Sequence, residues 1–311
     1  MNAPPVQLTN VTKWFSDTVA LADVSFTLQP GVTGLLGHNG AGKTTALSLI
    51  SGFSEPSQGT VRISGLNPRD DPGVHRILGL VPDGDGLWPY LTARQIVRFL
   101  ARQRKVPQPA EATAAALEWV GLTDAADRKV AGFSKGMKQR VRVAQALVHN
   151  PSVLLLDEPL NGLDPAQRRH MIEVITTLGN SGRTVLVSSH ILTEVERMAQ
   201  RVLVIVNGRL VAEGSPTGIR DLITEQPRTV RIAGTDLRRL GQLLLADGVV
   251  DTVRLHEDEL IVETAEAAAL ARRLPVVAAD AAVTLHRIVP EGDDLESVFG
   301  YLTQVARGMG R

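Results

Sequence analysis

The chain has 311 residues with 33 Lys and Arg against 33 Asp and Glu, so nothing in the total charge favours nucleic acid or an anionic membrane surface as a partner. The absence of cysteine excludes disulfides and thiolate metal sites, and 43% hydrophobic residues suits a globular protein of one large domain and a small one. No run of about 18 apolar residues occurs, so the chain is not expected to span a bilayer, and Met1-Asn2-Ala3-Pro4-Pro5 has neither the basic nor the apolar region of a secretory leader.

Residues 1–220 read as alternating strands and helices. Short β-branched runs recur at Val32–Leu36, Val61–Ile63, Leu78–Val81, Val153–Leu156, Thr184–Ser188 and Val202–Val206. Several are apolar throughout, as strands covered on both faces must be. Between Leu91 and Asn150 the pattern is helical. Thr92 followed by Gln95 predicts a capping box opening a helix over Ala93–Arg104, and Ala110–Val120 is a second helix. Residues 88–150 therefore read as a helical insert in an α/β domain. Asn207-Gly208, between Val202–Val206 and Arg209–Glu213, predicts a hairpin because both turn positions need positive φ. Residues 221–311 form a separate unit, with strand Thr229–Ile232, helix Leu237–Leu245, strands Val249–Leu255 and Leu260–Val262, helix Ala265–Leu274 and strand Val283–Val289. That order is the split βαβ of ferredoxin-like α+β folds. A last helix is expected over Leu295–Ala306.

Two motifs carry chemistry. Gly37-His38-Asn39-Gly40-Ala41-Gly42-Lys43-Thr44 fits Gly-x-x-x-x-Gly-Lys-Ser/Thr, follows an apolar strand, and with Thr45 opens a helix. Its glycines let backbone N–H groups turn inward around phosphate oxygens, and the helix N-terminus adds partial positive charge. Lys43 is placed to reach the β- and γ-phosphates of ATP, and the Thr44 hydroxyl to ligate Mg²⁺. The second motif is the apolar strand Val153–Leu156 ending in Asp157-Glu158. Asp157 suits the Mg²⁺ shell. Glu158 is placed to take a proton from an attacking water, and points away from Asp157 if the strand geometry persists.

With both motifs in place, the sequence resembles the nucleotide-binding subunits of ABC transporters over residues 6–220. Phe133-Ser134-Lys135-Gly136-Met137-Lys138-Gln139-Arg140 is similar to the family signature, usually Leu-Ser-Gly-Gly-Gln. Asn161-Gly162-Leu163-Asp164 resembles the D-loop. His190 falls where the switch histidine belongs, Phe15 where an aromatic ring stacks on adenine, and Gly79-Leu80-Val81-Pro82-Asp83 at the Q-loop. The resemblance implies a P-loop NTPase of ABC type, with a core mixed sheet, an N-terminal β part and the helical insert. It also implies an ATP-dependent head-to-tail dimer in which Ser134 and Gly136 meet the γ-phosphate bound to the other copy. His190 then senses that phosphate.

The sequence departs from the family pattern in two segments, the signature and the Q-loop. Lys135 and Met137 stand where the signature has glycine and glutamine, but Ser134 and Gly136 are kept. Asp83 stands where glutamine is usual, and a carboxylate there can act on Mg²⁺ through water. Glu291-Gly292-Asp293-Asp294-Leu295-Glu296-Ser297-Val298-Phe299 resembles the tail of ABC-2-type exporter ATPases, where such appendages steady or regulate the dimer. The partners implied are a second copy and an integral membrane permease that holds the chain on the cytoplasmic face of the membrane. Trp88 and Tyr90, in the Asp85–Tyr90 segment, either dock that permease or pack the helical insert. The rival is a soluble ABC-type ATPase acting on ribosomes or DNA. Such proteins often carry two cassettes or a long coiled coil, and neither is evident here.

Overall fold

The computed structural model describes residues 5–84, 86–219, 228–256 and 259–291. The expected helix Leu295–Ala306, the tail segment after Glu291, Asp85 and Met1–Pro4 lie outside them. The chain forms two compact units, Met1–Pro216 and Thr217–Arg311.

In the first unit, β1 (Val6–Phe15), β2 (Thr18–Leu28) and β4 (Gln58–Ile63) make an antiparallel sheet ordered β2-β1-β4. A second sheet is built from β3 (Gly31–Leu36), β5 (Leu78–Val81), β6 (Val153–Leu156), β7 (Thr184–Ser189), β8 (Arg201–Val206) and β9 (Arg209–Gly214). Its order is β5-β6-β7-β3-β8-β9, parallel except for the β8–β9 hairpin at the Asn207-Gly208 turn. Every residue of β6 and β7 is buried, the signature of central strands covered on both faces. Helix α1 (Lys43–Ile50) puts Ala46, Leu47, Leu49 and Ile50 into one core with Val6, Leu8 and Phe26 of the antiparallel sheet and with Leu155 and Leu186 of the large one. Each such aliphatic side chain contributes about 1.5–3 kcal/mol of burial, so the phosphate loop sits on a fixed base.

The helical insert follows β5 and a short helix α2 (Val74–Ile77). It comprises α3 (Ala93–Gln103), α4 (Pro109–Trp119) and α5 (Lys135–Leu147). Thr92 and Gln95 close the capping box on α3: Thr92 Oγ1 accepts the Gln95 amide at 3.1 Å and Gln95 Oε1 accepts the Thr92 amide at 2.9 Å. Helices α6 (Pro165–Asn180) and α7 (Leu192–Glu196) complete the unit.

The second unit has β10 (Arg228–Gly234), α8 (Leu237–Ala246), β11 (Thr252–His256), β12 (Glu259–Thr264), α9 (Ala267–Asp280) and β13 (Leu285–Glu291). Its antiparallel sheet runs β11-β12-β10-β13, the ferredoxin-like order. Both helices pack on one core with Val230, Ile232, Leu260 and Val262. Several boundaries differ from the sequence reading by a few residues, and two of the differences have a visible cause in the packing. Val249 and Val250 belong to the core but precede the β11 ladder, which starts at Thr252. Helix α9 runs through Pro275 to Asp280, because Val277 and Ala278 continue its buried face beyond Leu274. Burial there outweighs the hydrogen bond that proline removes.

Candidate active site

The site lies at the carboxyl ends of adjacent parallel strands, where open α/β sheets bind ligands. β3 delivers the phosphate loop, β6 delivers Asp157 and Glu158, and β7 delivers Ser188, Ser189 and His190. Gly42 adopts φ 111°, and a Cβ there would lie 2.7 Å from the Ala20 carbonyl oxygen, so glycine is required. No side chain caps α1, whose first residue is Lys43. Its leading amides are therefore available to an anion. Lys43 is 6% exposed; its Nζ donates to the carbonyls of Gly37 at 2.6 Å and His38 at 3.3 Å. That ammonium also lies 3.4 Å from Glu158 Oε1.

The two carboxylates are fixed by different partners. Asp157 Oδ2 accepts the Thr44 hydroxyl at 2.9 Å, and its Oδ1 accepts the Ser188 hydroxyl at 2.5 Å. Glu158 Oε2 lies 3.0 Å from His190 Nδ1. The sequence reading aimed Glu158 away from Asp157 on the condition of continued strand geometry. That condition fails: β6 ends at Leu156, and Glu158 adopts a left-handed φ of 46°, so both carboxylates line the same cavity. A left-handed backbone costs a non-glycine residue about 1–2 kcal/mol, and strain of this kind concentrates at functional sites. The Ser188 Oγ holds the conformation by accepting the Glu158 amide at 2.8 Å.

The cavity measures about 170 Å³. His38, Asn39, Gly40, Gly42, Lys43, Thr44, Thr45, Asp83, Asp157 and Glu158 line it, together with Ala20. Gly37 contributes its carbonyl to Lys43, and Ala41, within the loop, is fully buried. Asp83 also lines a second cavity of about 420 Å³. The donors fit Mg²⁺ in kind: a hydroxyl and a carboxylate oxygen in contact are hard ligands, and magnesium sites pair one or two carboxylates with substrate phosphate and water.

His190 reaches the site through Glu158 and does not line the cavity, and four further sequence-selected residues are likewise not among those lining it. Phe15, at the end of β1, is 52% exposed with Lys13 Nζ 4.8 Å from its ring centre. Ser134 caps α5 by accepting the Met137 amide, and Asp164 caps α6 by accepting the amides of Ala166 and Gln167. Gly136 is buried in the first turn of α5.

Sequence reasoning missed Ser188 as a site residue and took it only as a strand terminus. The available signal was a polar residue closing an apolar strand beside a catalytic position. Ser188→Ala is expected to lower ATP turnover about 10- to 100-fold, the usual cost of removing a group that orients a ligand side chain. Steady-state hydrolysis against Mg²⁺ concentration checks it, with the Mg²⁺ requirement rising as Asp157 loses its partner.

The family model described as ABC transporter matches residues 21–161. The Nod factor export ATP-binding protein I of Burkholderia thailandensis is 41% identical over 221 residues, covering 70% of this chain and 72% of that protein. The linearmycin resistance ATP-binding protein LnrL of Bacillus subtilis is 35% identical over 218 residues, covering 69% and 70%. Among solved structures, the ATP-binding subunit of an ABC transporter superposes with a TM-score of 0.64 at 29% identity, covering 70% of this chain and 92% of its own. A dimeric ATP-binding cassette in a post-hydrolysis state bound to ADP and Pi superposes with a TM-score of 0.62 at 26% identity, covering 68% and 98%. Identity and coverage of this extent put the chain in the ABC transporter family, as one of its ATP-binding, ATP-hydrolysing members.

Proposed function

We propose that two copies of this chain close head to tail around two ATP molecules and that their opening and closing drives a separate membrane permease, most consistent with an ABC-2-type exporter. One observation carries the reading: the cavity gathers phosphate loop and carboxylates, with His190 held against Glu158, while Ser134 and Gly136 are not among its lining residues. A half-site lacking its signature segment is complete only when another copy supplies one. The dimeric relative with ADP and Pi supports this arrangement, and the export and resistance names of two relatives support the direction. Among the described residues no helix is long and apolar enough to cross a membrane.

The chemistry follows from the positions. Thr44 and Asp157 would hold Mg²⁺, which neutralises charge on the phosphates when bound. Lys43 leaves Glu158 and turns its ammonium onto the β- and γ-phosphates. Glu158 takes the proton of the attacking water as the water oxygen bonds to the γ-phosphorus and the bond to the bridging oxygen of ADP breaks, leaving ADP and phosphate. His190 donates to the γ-phosphate and registers its loss. The second unit, with its ferredoxin-like sheet, then serves as an accessory or regulatory domain.

The permease would dock over the 420 Å³ cavity beside Asp83, whose walls include Leu80, Leu87, Leu100 and Phe53, the last 74% exposed. Trp88 packs edge-on against Phe99 with ring centres 5.6 Å apart, yet stays 40% exposed. It can therefore both brace the insert and present a surface. Trp88→Glu is expected to cut recovery of the membrane partner about tenfold or more, while ATP turnover by the isolated chain stays within about twofold. The decisive experiment isolates a tagged Glu158→Gln chain with ATP from detergent-solubilised membranes. A co-purifying protein with several bilayer-length apolar spans supports transport. Recovery of only soluble protein, ribosomes or DNA replaces it with the soluble-ATPase reading.

A further inference from the structure

A polar cluster next to His190, buried at Ser189 and Glu194, takes no part in the steps above. Glu194, on α7, is 7% exposed. Its Oε2 accepts the Ser189 hydroxyl at 3.0 Å, and its Oε1 lies 3.2 Å from a guanidinium nitrogen of Arg168. Ser189 directly precedes His190, and its Oγ also accepts the amide of Ile191, which directly follows it, at 3.0 Å. One hydroxyl thus anchors the chain on both sides of the histidine, and Glu194 anchors that hydroxyl.

Arg168 sits in the first turn of α6, its amide bonded to the Asp164 carbonyl at 2.8 Å. The same turn supports the signature segment. A Cβ added to Gly136 would lie 2.3 Å from Gln167 Oε1 and 3.1 Å from Leu163 Cδ2, so the start of α5 rests directly on it. The first turn of α6 therefore touches Gly136 on one side and reaches the backbone around His190 on the other. The pair is buried at Glu194 but 38% exposed at Arg168, and such an ion pair adds little net stability, so stability alone does not account for Glu194 at this place.

We propose that Glu194 is a positioning residue. Through Ser189 and Arg168 it ties His190 to the first turn of α6, which Asp164 caps and Gly136 packs against, so that phosphate loss at His190 is felt by the signature segment of the same chain. The inference rests on the reading of Glu158 and His190 as the hydrolytic pair.

Glu194→Gln keeps an acceptor for Ser189 and removes the charge that pairs with Arg168. The full chain carrying it should show kcat for ATP lowered roughly five- to tenfold with KM within about twofold. Arg168→Met should do the same, Arg168→Lys should retain most activity, and the Glu194→Gln/Arg168→Met double variant should fall no further than either single one. Additive losses, unchanged kcat in the single variants, or kcat loss that tracks a lowered unfolding temperature would overturn the proposal. Glu158→Gln is measured alongside. If it abolishes turnover while the Glu194 series shows no coupling, only the positioning role is lost. If it turns over normally, the reading beneath the inference fails and the inference with it.

Discussion

Glu158→Gln is expected to lower ATP turnover about 10²- to 10⁴-fold, the range for loss of a general base, with ATP still bound. The substitution preserves shape. The glutamine oxygen can still accept from His190 Nδ1, and Lys43 keeps its bonds to the Gly37 and His38 carbonyls. What disappears is the negative charge able to receive a proton from water. The backbone requirement is unchanged too, since the left-handed φ at residue 158 is stabilised through its amide by Ser188 and not through its side chain. Steady-state hydrolysis, nucleotide titration and gel filtration with ATP check it together. The proposed outcome is tight binding, little turnover and accumulation of a dimer. Turnover within about tenfold of the parent would move the base to another group, with Asp83 next in line because it lines the same cavity.

How much of this site could be read beforehand depended on range along the chain. The phosphate loop was legible because strand, glycines, lysine and helix are consecutive, so one local pattern encodes one local structure. Asp157 was legible for the same reason, as the polar end of a buried strand. The geometry of Glu158 was not. It depends on Ser188, on a neighbouring strand 30 residues away, and no local signal marks an amide that a distant hydroxyl will hold. Glu194 escaped likewise: its partners Ser189 and Arg168 lie on three different elements with it, and a lone glutamate in a short helix reads as solvent-facing. The second unit was legible in its order of elements, since alternation and helical periodicity are local. The course of α9 through Pro275 was not, because the burial of Val277 and Ala278 that sustains it is a tertiary fact.

Lys43→Met should be the most damaging change to nucleotide affinity. The ammonium is buried and bonded to two carbonyls, and it faces Glu158 across 3.4 Å. Methionine fills the stem's space but offers no donor, so the phosphates lose a charged partner; such losses cost about 2–5 kcal/mol when the pair is buried. ATP should bind roughly 30-fold more weakly or worse, and kcat should fall on the order of 10²-fold or more as charge developing on the γ-phosphate goes unmatched. The same substitution strips the largely buried Glu158 carboxylate of its nearest cation. The empty protein should therefore also lose stability, an effect that the Lys43→Met/Glu158→Gln double variant relieves by removing the stranded charge. Thermal unfolding of the two variants separates these contributions. Stability recovers in the double variant while ATP affinity does not, because only the first depends on Glu158 and the second depends on a cation aimed at phosphate. Recovery of both would mean that Lys43 acts on nucleotide only by neutralising Glu158, and the phosphate contact would have to be assigned to the loop amides alone.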